Sequence, residues 1–249
     1  MITLAALRRH PVKSLGEERL EEVTLEPGKP VPWDRVWAIA HGSTDWDPAQ
    51  PKWAIPGNFV NQTHLPRLAQ LITSFDEESG TLTLSHPNLG EAAFHLAEDG
   101  DALCAWIAPL AEGTTRAGPF LLCQAPDVAF TDFEDTHISI GSLSSRRALE
   151  GMARQDLELI RFRMNLWIDG GAPWEELDWV GREISVGEVR LAIKSRDERC
   201  NATNANPSTG ARDTQIPGLL QQRFGHRDFG IYAQVISGGT IRVGDPVAM

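Results

Sequence analysis

The sequence predicts a mainly β protein with a few short helices. Short apolar runs recur along the chain. Gly, Pro, Asn and Asp punctuate the gaps between them. No apolar stretch approaches the roughly 18 residues that a membrane-spanning helix needs. Hydrophobic residues make up 41% and charged residues 23% of the 249, the balance of a soluble globular chain long enough for one large domain or two small ones.

The elements follow in order. Residues 2–7 and 19–25 read as strands. Residues 35–41 (Arg-Val-Trp-Ala-Ile-Ala-His) are apolar at nearly every position, which suits a buried strand. Residues 68–74 and 81–85 read as strands flanking a hairpin turn at Glu78-Ser79-Gly80, and 91–96 follows as another. This is the rhythm of a small barrel or sandwich. The texture changes near residue 100. Residues 100–111 predict a short helix. Residues 144–151 predict a second, with a serine N-cap and a glycine after the last turn. Strands resume at 165–168, 183–186 and 189–195, with Gly187-Glu188 as a tight hairpin. Residues 217–224 look helical. Strands at 230–236 and 240–243 close the chain around Ser237-Gly238-Gly239. The chain is therefore divided into 1–100 and 101–249, both dominated by β structure.

The net charge of −11 argues against general nucleic-acid binding, which relies on Lys and Arg at phosphates, but leaves room for a local basic pocket. The first ten residues place Arg8 and Arg9 after a short apolar run, the reverse of a secretory signal. The chain is read as cytoplasmic, with no membrane partner. Its three cysteines, Cys104, Cys123 and Cys200, are odd in number and widely spaced. Without a C-x-x-C pair, any cysteine chemistry should use a single thiolate.

Four segments stand out. Cys200 follows a strand, sits beside Arg199 and precedes the turn-rich run Asn206-Pro207-Ser208-Thr209-Gly210. That setting favours thiolate, the ligand that soft metals prefer. A free cysteine is just as readily a small buried hydrophobe. His10-Pro11-Val12-Lys13-Ser14 puts an ammonium and a hydroxyl at a strand end, where they suit a phosphate; a solvated Lys is the plain alternative. Arg35 precedes a strongly apolar strand, so its planar fork sits at a strand mouth, either for an anion or in a turn ion pair with Asp34. Arg161 and Arg163 alternate with apolar residues on one face of a strand ahead of Asn165, or form the wet face of an edge strand. Nucleotide-binding, zinc-protease and serine-hydrolase motifs are absent from the sequence.

In this order the segments resemble the molybdenum cofactor sulfurase C-terminal (MOSC) domain family, in the form with an N-terminal β-barrel domain. The family's Tyr-Pro-Val-Lys-Ser opening is similar to residues 10–14. Its Gly-…-Asp-Arg-x-Trp block is similar to 28–37, and its Arg-Phe-Arg-Pro-Asn block to 161–165, with Met164 in place of Pro. A Trp-x-x-x-x-Trp-x-Gly segment stands at Trp174, Trp179 and Gly181. The Arg-Cys block resembles 199–210. The closing Phe-Gly-x-Tyr and Gly-Gly-x-Ile-x-Val-Gly-Asp resemble 229–232 and 238–245.

The resemblance implies a β-barrel-type fold and a molybdopterin-type molybdenum cofactor. It implies Cys200 as the molybdenum ligand and catalytic centre. Lys13, Ser14 and Arg35 would meet the cofactor phosphate, Arg163 and Asn165 would line the pterin, and Thr203 and Asn204 would follow the ligand in its loop. The implied activity, similar to that of the amidoxime-reducing type, is reduction of small N-hydroxylated or N-oxide compounds. Some relatives continue into a ferredoxin domain, so electrons are expected here from a separate donor, ferredoxin-like or a flavoprotein reductase. Asp197 stands where the family often has a cysteine, and Thr63 where members commonly carry an arginine that contacts the cofactor. These departures motivate a second reading, a non-catalytic carrier that hands on cofactor or sulfur through Cys200. A third is a β-rich binding module with a structural Cys200.

Overall fold

The computed structural model describes residues 1–135 and 138–249. In chain order the elements are β1 (Ile2–Arg9), β2 (Glu18–Leu20), β3 (Glu22–Leu25), β4 (Trp37–Ala40), β5 (Ile72–Asp76), β6 (Thr81–His86), β7 (Gly90–His95), α1 (Gly100–Ile107), β8 (Leu121–Gln124), β9 (Ile138–Ser142), α2 (Leu143–Ala153), β10 (Leu166–Asp169), β11 (Glu183–Val186), β12 (Val189–Glu198), α3 (Ile216–Phe224), β13 (Asp228–Ser237), β14 (Gly239–Arg242) and β15 (Pro246–Ala248). The fold is mainly β with three α-helices among the described residues.

One eight-stranded sheet runs β10-β9-β13-β12-β11-β15-β1-β2, and β1 also pairs antiparallel with β10. That extra pairing closes seven of the strands into a barrel and leaves β2 as a branch on β1. Closure removes the exposed sheet edge. The strand period of two decides which side chains fill the barrel. Along β12, Val189, Leu191 and Ile193 point into the first core, while Arg190 and Lys194 are exposed. On β10, Leu166 and Ile168 join that core. Trp167 faces the other way, into a cluster with Phe162, Phe229 and the apolar faces of α2 and α3.

A second core lies outside the barrel. It packs Val12, Leu15, Leu68 and Leu82 against Leu103 and Ile107 of α1. It includes the three-stranded sheet β5-β6-β7 and draws on residues from both sides of position 100, while β1 belongs to the barrel. No helix among the described residues is long and apolar enough to cross a membrane.

Several expectations shift locally. Residues 19–25 divide into β2 and β3, which pair with β1 and β14 respectively. Pro66 opens a 3-10 turn over Pro66–Gln70, so the strand expected from 68 begins at Ile72. The cap of α2 is Ser142, whose hydroxyl accepts from Ser145 N at 3.3 Å. Arg154, not Gly151, takes the left-handed position at its other end. Residues 161–163 are not a strand. Leu159–Arg161 is a 3-10 turn, and Arg163 has φ 53°, which turns the chain into β10. Strands β8, β9 and β15 add to those expected. They are short, and β9 includes Gly141 and two serines that mask its pattern.

Candidate functional site

A cavity of about 410 Å³ opens where the end of β12 and the middle of β13 face the segment after β1 and the loop before Pro66. Lys13, Ser14, Arg35, Arg163 and Cys200 all line it. Five of the eight residues singled out from sequence therefore converge on one place.

The backbone there is held in an uncommon conformation. Ser14, Arg35 and Arg163 have φ of 70°, 54° and 53°, in the left-handed region that side-chain-bearing residues rarely adopt. Such conformations cost about 1–3 kcal/mol each and persist where surrounding contacts over-determine them. Here the contacts interlock. Arg35 N donates to His10 O at 2.7 Å, and Arg35 Nη2 donates to Arg163 O at 2.8 Å. Arg163 Nη1 donates to Gly16 O at 3.0 Å. Gly16 itself is close-packed: a Cβ there would lie 1.8 Å from Thr73 Oγ1.

Most of the cavity's cations have carboxylate partners. Lys13 Nζ donates to Asp132 Oδ1 at 3.0 Å and to Phe130 O at 2.8 Å. Arg35 pairs with Asp34, and Arg199 with Asp197. Burial opposes ionisation of Asp34, yet the Arg35 guanidinium and His10 hold its carboxyl well below the usual range. Burial and the charges of Arg35 and Arg163 push His10 down to about 3, so its ring is neutral and Nδ1–H donates to Asp34 Oδ1 at 3.1 Å.

Arg163 is different. It has no carboxylate partner among the described residues, and its Nη2 is buried without any acceptor. Burial, then the charge of Arg35, pushes its guanidinium down to about 9, so it stays cationic at neutral pH. Arg199 Nε is a second buried donor without an acceptor. Lys13, Arg35, Arg163 and Arg199 thus face Asp34, Asp132 and Asp197, an excess of positive charge in an acidic chain. The cavity is built to receive an anion.

Cys200 is exposed and unbridged, just beyond β12. Thr203 fixes its position, since the Thr203 amide and hydroxyl both donate to Cys200 O, at 3.2 and 2.9 Å. Thr63 Oγ1 lies 3.4 Å from Cys200 Sγ. Arg212 donates to Thr63 O, so a guanidinium stands near this threonine by another route. Cys104 and Cys123 are buried, and burial pushes their thiols up to about 11, the setting of inert thiols.

Asn165, Thr203 and Asn204 lie behind the cavity wall. Asn165 Oδ1 accepts from Ser139 N and Oγ at 3.1 and 2.9 Å, and Asn165 Nδ2 donates to Arg8 O at 3.3 Å. Asn204 Oδ1 accepts from Ile216 N at 2.9 Å, which ties the Cys200 loop to α3. Arg161 does reach the cavity wall, in a bidentate pair with Asp213. Asp132 and Tyr232 line the cavity and were not among the site residues expected from sequence, although Tyr232 ends the Phe-Gly-x-Tyr block. Asp132 lies in an acidic run without a pattern of its own. Tyr232 is the chain's single tyrosine, which was a usable signal. It hydrogen-bonds Asp197, whose carboxyl burial raises to about 6 against the opposing charge of Arg199.

Among the described residues no group of three or more His, Cys, Asp or Glu could hold a metal ion. Cys200 is a single strong donor, so a metal here would need a ligand that brings further donors.

Residues 1–108 match the MOSC N-terminal beta barrel domain and residues 125–248 the MOSC domain. The chain is 34% identical over 90 residues to a molybdenum cofactor sulfurase of Drosophila willistoni, a match covering 36% of the chain and 11% of that protein. It is 22% identical over 250 residues to that of Drosophila mojavensis, covering 92% of the chain and 31% of that protein. The chain thus spans a third or less of the length of these relatives. Among solved structures, the YUAD protein from Bacillus subtilis aligns over 99% of this chain and 94% of its own, with TM-score 0.45 and 12% identity. On the two domain matches, which cover most of its length in order, the chain belongs to the MOSC domain family.

Proposed function

We propose that the cavity holds a molybdopterin-type molybdenum cofactor, and that the loaded protein reduces N-hydroxylated or N-oxide compounds. The observation that carries this reading is one cavity with both a cation that lacks a carboxylate partner and has a buried N–H unmet, Arg163 Nη2, and the chain's exposed thiol, Cys200. An anionic cofactor that bears its own sulfur donors fits that pair. Its phosphate suits the point charge of Lys13, the Ser14 hydroxyl and the forks of Arg35 and Arg163. Its metal suits one protein thiolate. When bound, the cofactor supplies redox chemistry and Lewis acidity that the side chains lack.

The chain's own residues do the rest. The interlocked left-handed positions fix the cations before any ligand arrives, so little ordering is left for binding. Reduction of R–NHOH to R–NH2 and water takes up two electrons and two protons. Asp197, held between Arg199 and Tyr232 at the cavity wall, can carry a proton at its carboxyl oxygen in mildly acidic solution. The three cysteines of these residues are too few for an iron–sulfur cluster on four thiolates, so in this reading the electrons enter from outside these residues, from a ferredoxin-like or flavoprotein donor.

A second reading rests on the exposure of Cys200 and on the names of the curated relatives. The protein would carry cofactor or sulfur and pass it on. Both readings are tested on protein expressed in a host that makes the cofactor. Retained molybdenum with turnover of an amidoxime or hydroxylamine by an artificial donor supports the reductase. Retained molybdenum without turnover sinks it. Ready exchange of cofactor into an apo-acceptor enzyme supports the carrier.

A further inference from the structure

Two arginines that contact the cavity-lining residues Thr63 and His64 lack a carboxylate partner among the described residues. Arg212 donates to the carbonyl of Thr63, the residue whose hydroxyl is 3.4 Å from Cys200 Sγ. Arg116 Nη2 lies 3.4 Å from His64 Nε2, and Arg116 Nε is buried with no acceptor. Neither arginine forms an ion pair among the described residues. His64 sits between them on the cavity wall. Burial, then Arg116, lowers its basicity, so it is a neutral acceptor for the Arg116 guanidinium. The two guanidinium groups thus flank the adjacent residues Thr63 and His64 of the cavity wall, Arg212 at Thr63 and Arg116 at His64. Each keeps N–H donors for an incoming group, and a planar fork matches a carboxylate better than a point charge does.

We propose that Arg116 and Arg212 form an anion-recognising rim that selects substrates carrying a carboxylate beside the reducible N–O group. The inference rests on the reductase reading for the reaction, but not for the binding. Thr63 links the rim to the thiol, so a carboxylate held by Arg212 leaves the other end of a small aromatic compound free to reach Cys200. Lys13, Arg35 and Arg163 line the cavity itself, whereas Arg116 and Arg212 reach it through His64 and Thr63, so the rim is proposed as an anion subsite apart from the one for the cofactor.

The test uses the cofactor-loaded protein and a matched pair of probes, 4-carboxybenzamide and benzamide, titrated by calorimetry or NMR. The same chemistry in reducible form is 4-carboxybenzamidoxime against benzamidoxime. The wild type is expected to prefer the carboxylated member of each pair by about tenfold, a preference that weakens with added salt. Arg116→Gln and Arg212→Gln should each cut the affinity ratio and the kcat/KM ratio by about three- to fivefold. Arg212→Lys, which keeps the charge without the fork, should retain part of both. Equal affinity of the wild type for both probes overturns the proposal, as does a variant that weakens both probes alike. Loss of molybdenum from either variant would assign that arginine to the cofactor and overturn it too. If neither amidoxime is reduced while the arginine-dependent preference for 4-carboxybenzamide persists, the reductase reading fails and the rim stands.

Discussion

Replacing Arg163 with methionine separates the stability of the ligand-free protein from its ability to hold an anion. Arg163 is cationic, half-buried and without an acceptor at Nη2. Burial and Arg35 depress it from the ordinary guanidinium range to about 9, which corresponds to roughly 5 kcal/mol at ~1.4 kcal/mol per pH unit. The folded value lies below the unfolded one, so the unfolded chain holds the proton more tightly. The penalty on the fold is therefore complete at every pH below about 9 and fades only as pH rises toward the unfolded value. Methionine retains much of the apolar stem and removes the charge. It also gives up the bond from Nη1 to Gly16 O, worth about 1.5–3 kcal/mol for a charged donor. Partial exposure of the side chain reduces the first figure further. Arg163→Met should thus raise the stability of the ligand-free protein by about 1–2 kcal/mol. The assay is urea unfolding at neutral pH in a buffer free of phosphate, repeated with pyrophosphate added. Pyrophosphate should stabilise the wild type by mass action and leave the variant nearly unchanged. A ligand-free variant clearly less stable than the wild type, or an equal pyrophosphate response in both, refutes the reasoning.

Other outcomes follow from the same structure. Burial raises the Glu176 carboxyl to about 7, and its Oε1 has no partner, while Oε2 accepts from Ser145 Oγ at 2.8 Å. Its folded value lies above the unfolded one, so its contribution is present in acid and is lost as pH rises through about 7. Glu176→Gln should therefore be about 2–3 kcal/mol more stable than wild type at about pH 8.5 and nearly equal at about pH 5; an equal gain at both would contradict this. Asn165→Ala removes the acceptor for two buried Ser139 donors and should lower the denaturation free energy by about 2–4 kcal/mol, with a loss below ~1 kcal/mol showing that water replaces the amide. In loaded protein, turnover should fall as pH rises through about 6, where Asp197 loses its proton. Asp197→Asn should flatten that limb, and an unchanged profile would remove Asp197 from proton transfer.

Much of the β architecture was legible because strand alternation and turn residues are local signals. The hairpin at Gly187-Glu188 pairs β11 with β12 as the pattern implies. Barrel closure was not legible. It depends on β1 meeting β10, more than 150 residues away, and on β9, whose Ile138-Ser139-Ile140-Gly141-Ser142 has too few apolar positions to stand out. At the site, Lys13, Ser14, Arg35, Arg163 and Cys200 were recognisable one segment at a time. Their convergence came from tertiary structure. So did the left-handed backbone at Arg163, which overturns the strand that its Arg-Phe-Arg alternation suggested. Asn165 was named from the resemblance and not from composition. Composition marks it only as the start of an apolar run, and its pterin-lining role is what the resemblance implies; in the fold its amide bonds Ser139 and Arg8. The adjacent Asp34–Arg35 ion pair was one of the alternatives the sequence offered, whereas the Lys13–Asp132 pair escaped it because the two residues are distant in the chain.

The most direct test of the central claim is molybdenum per chain in wild type and Cys200→Ser, purified in parallel from a host that makes the cofactor. Circular dichroism would confirm that both are folded. The wild type should hold about one molybdenum per chain and the variant severalfold less, since a serine hydroxyl is a poor substitute for a soft thiolate ligand. A wild type without molybdenum, or a variant that holds as much as the wild type, would contradict Cys200 as the metal ligand.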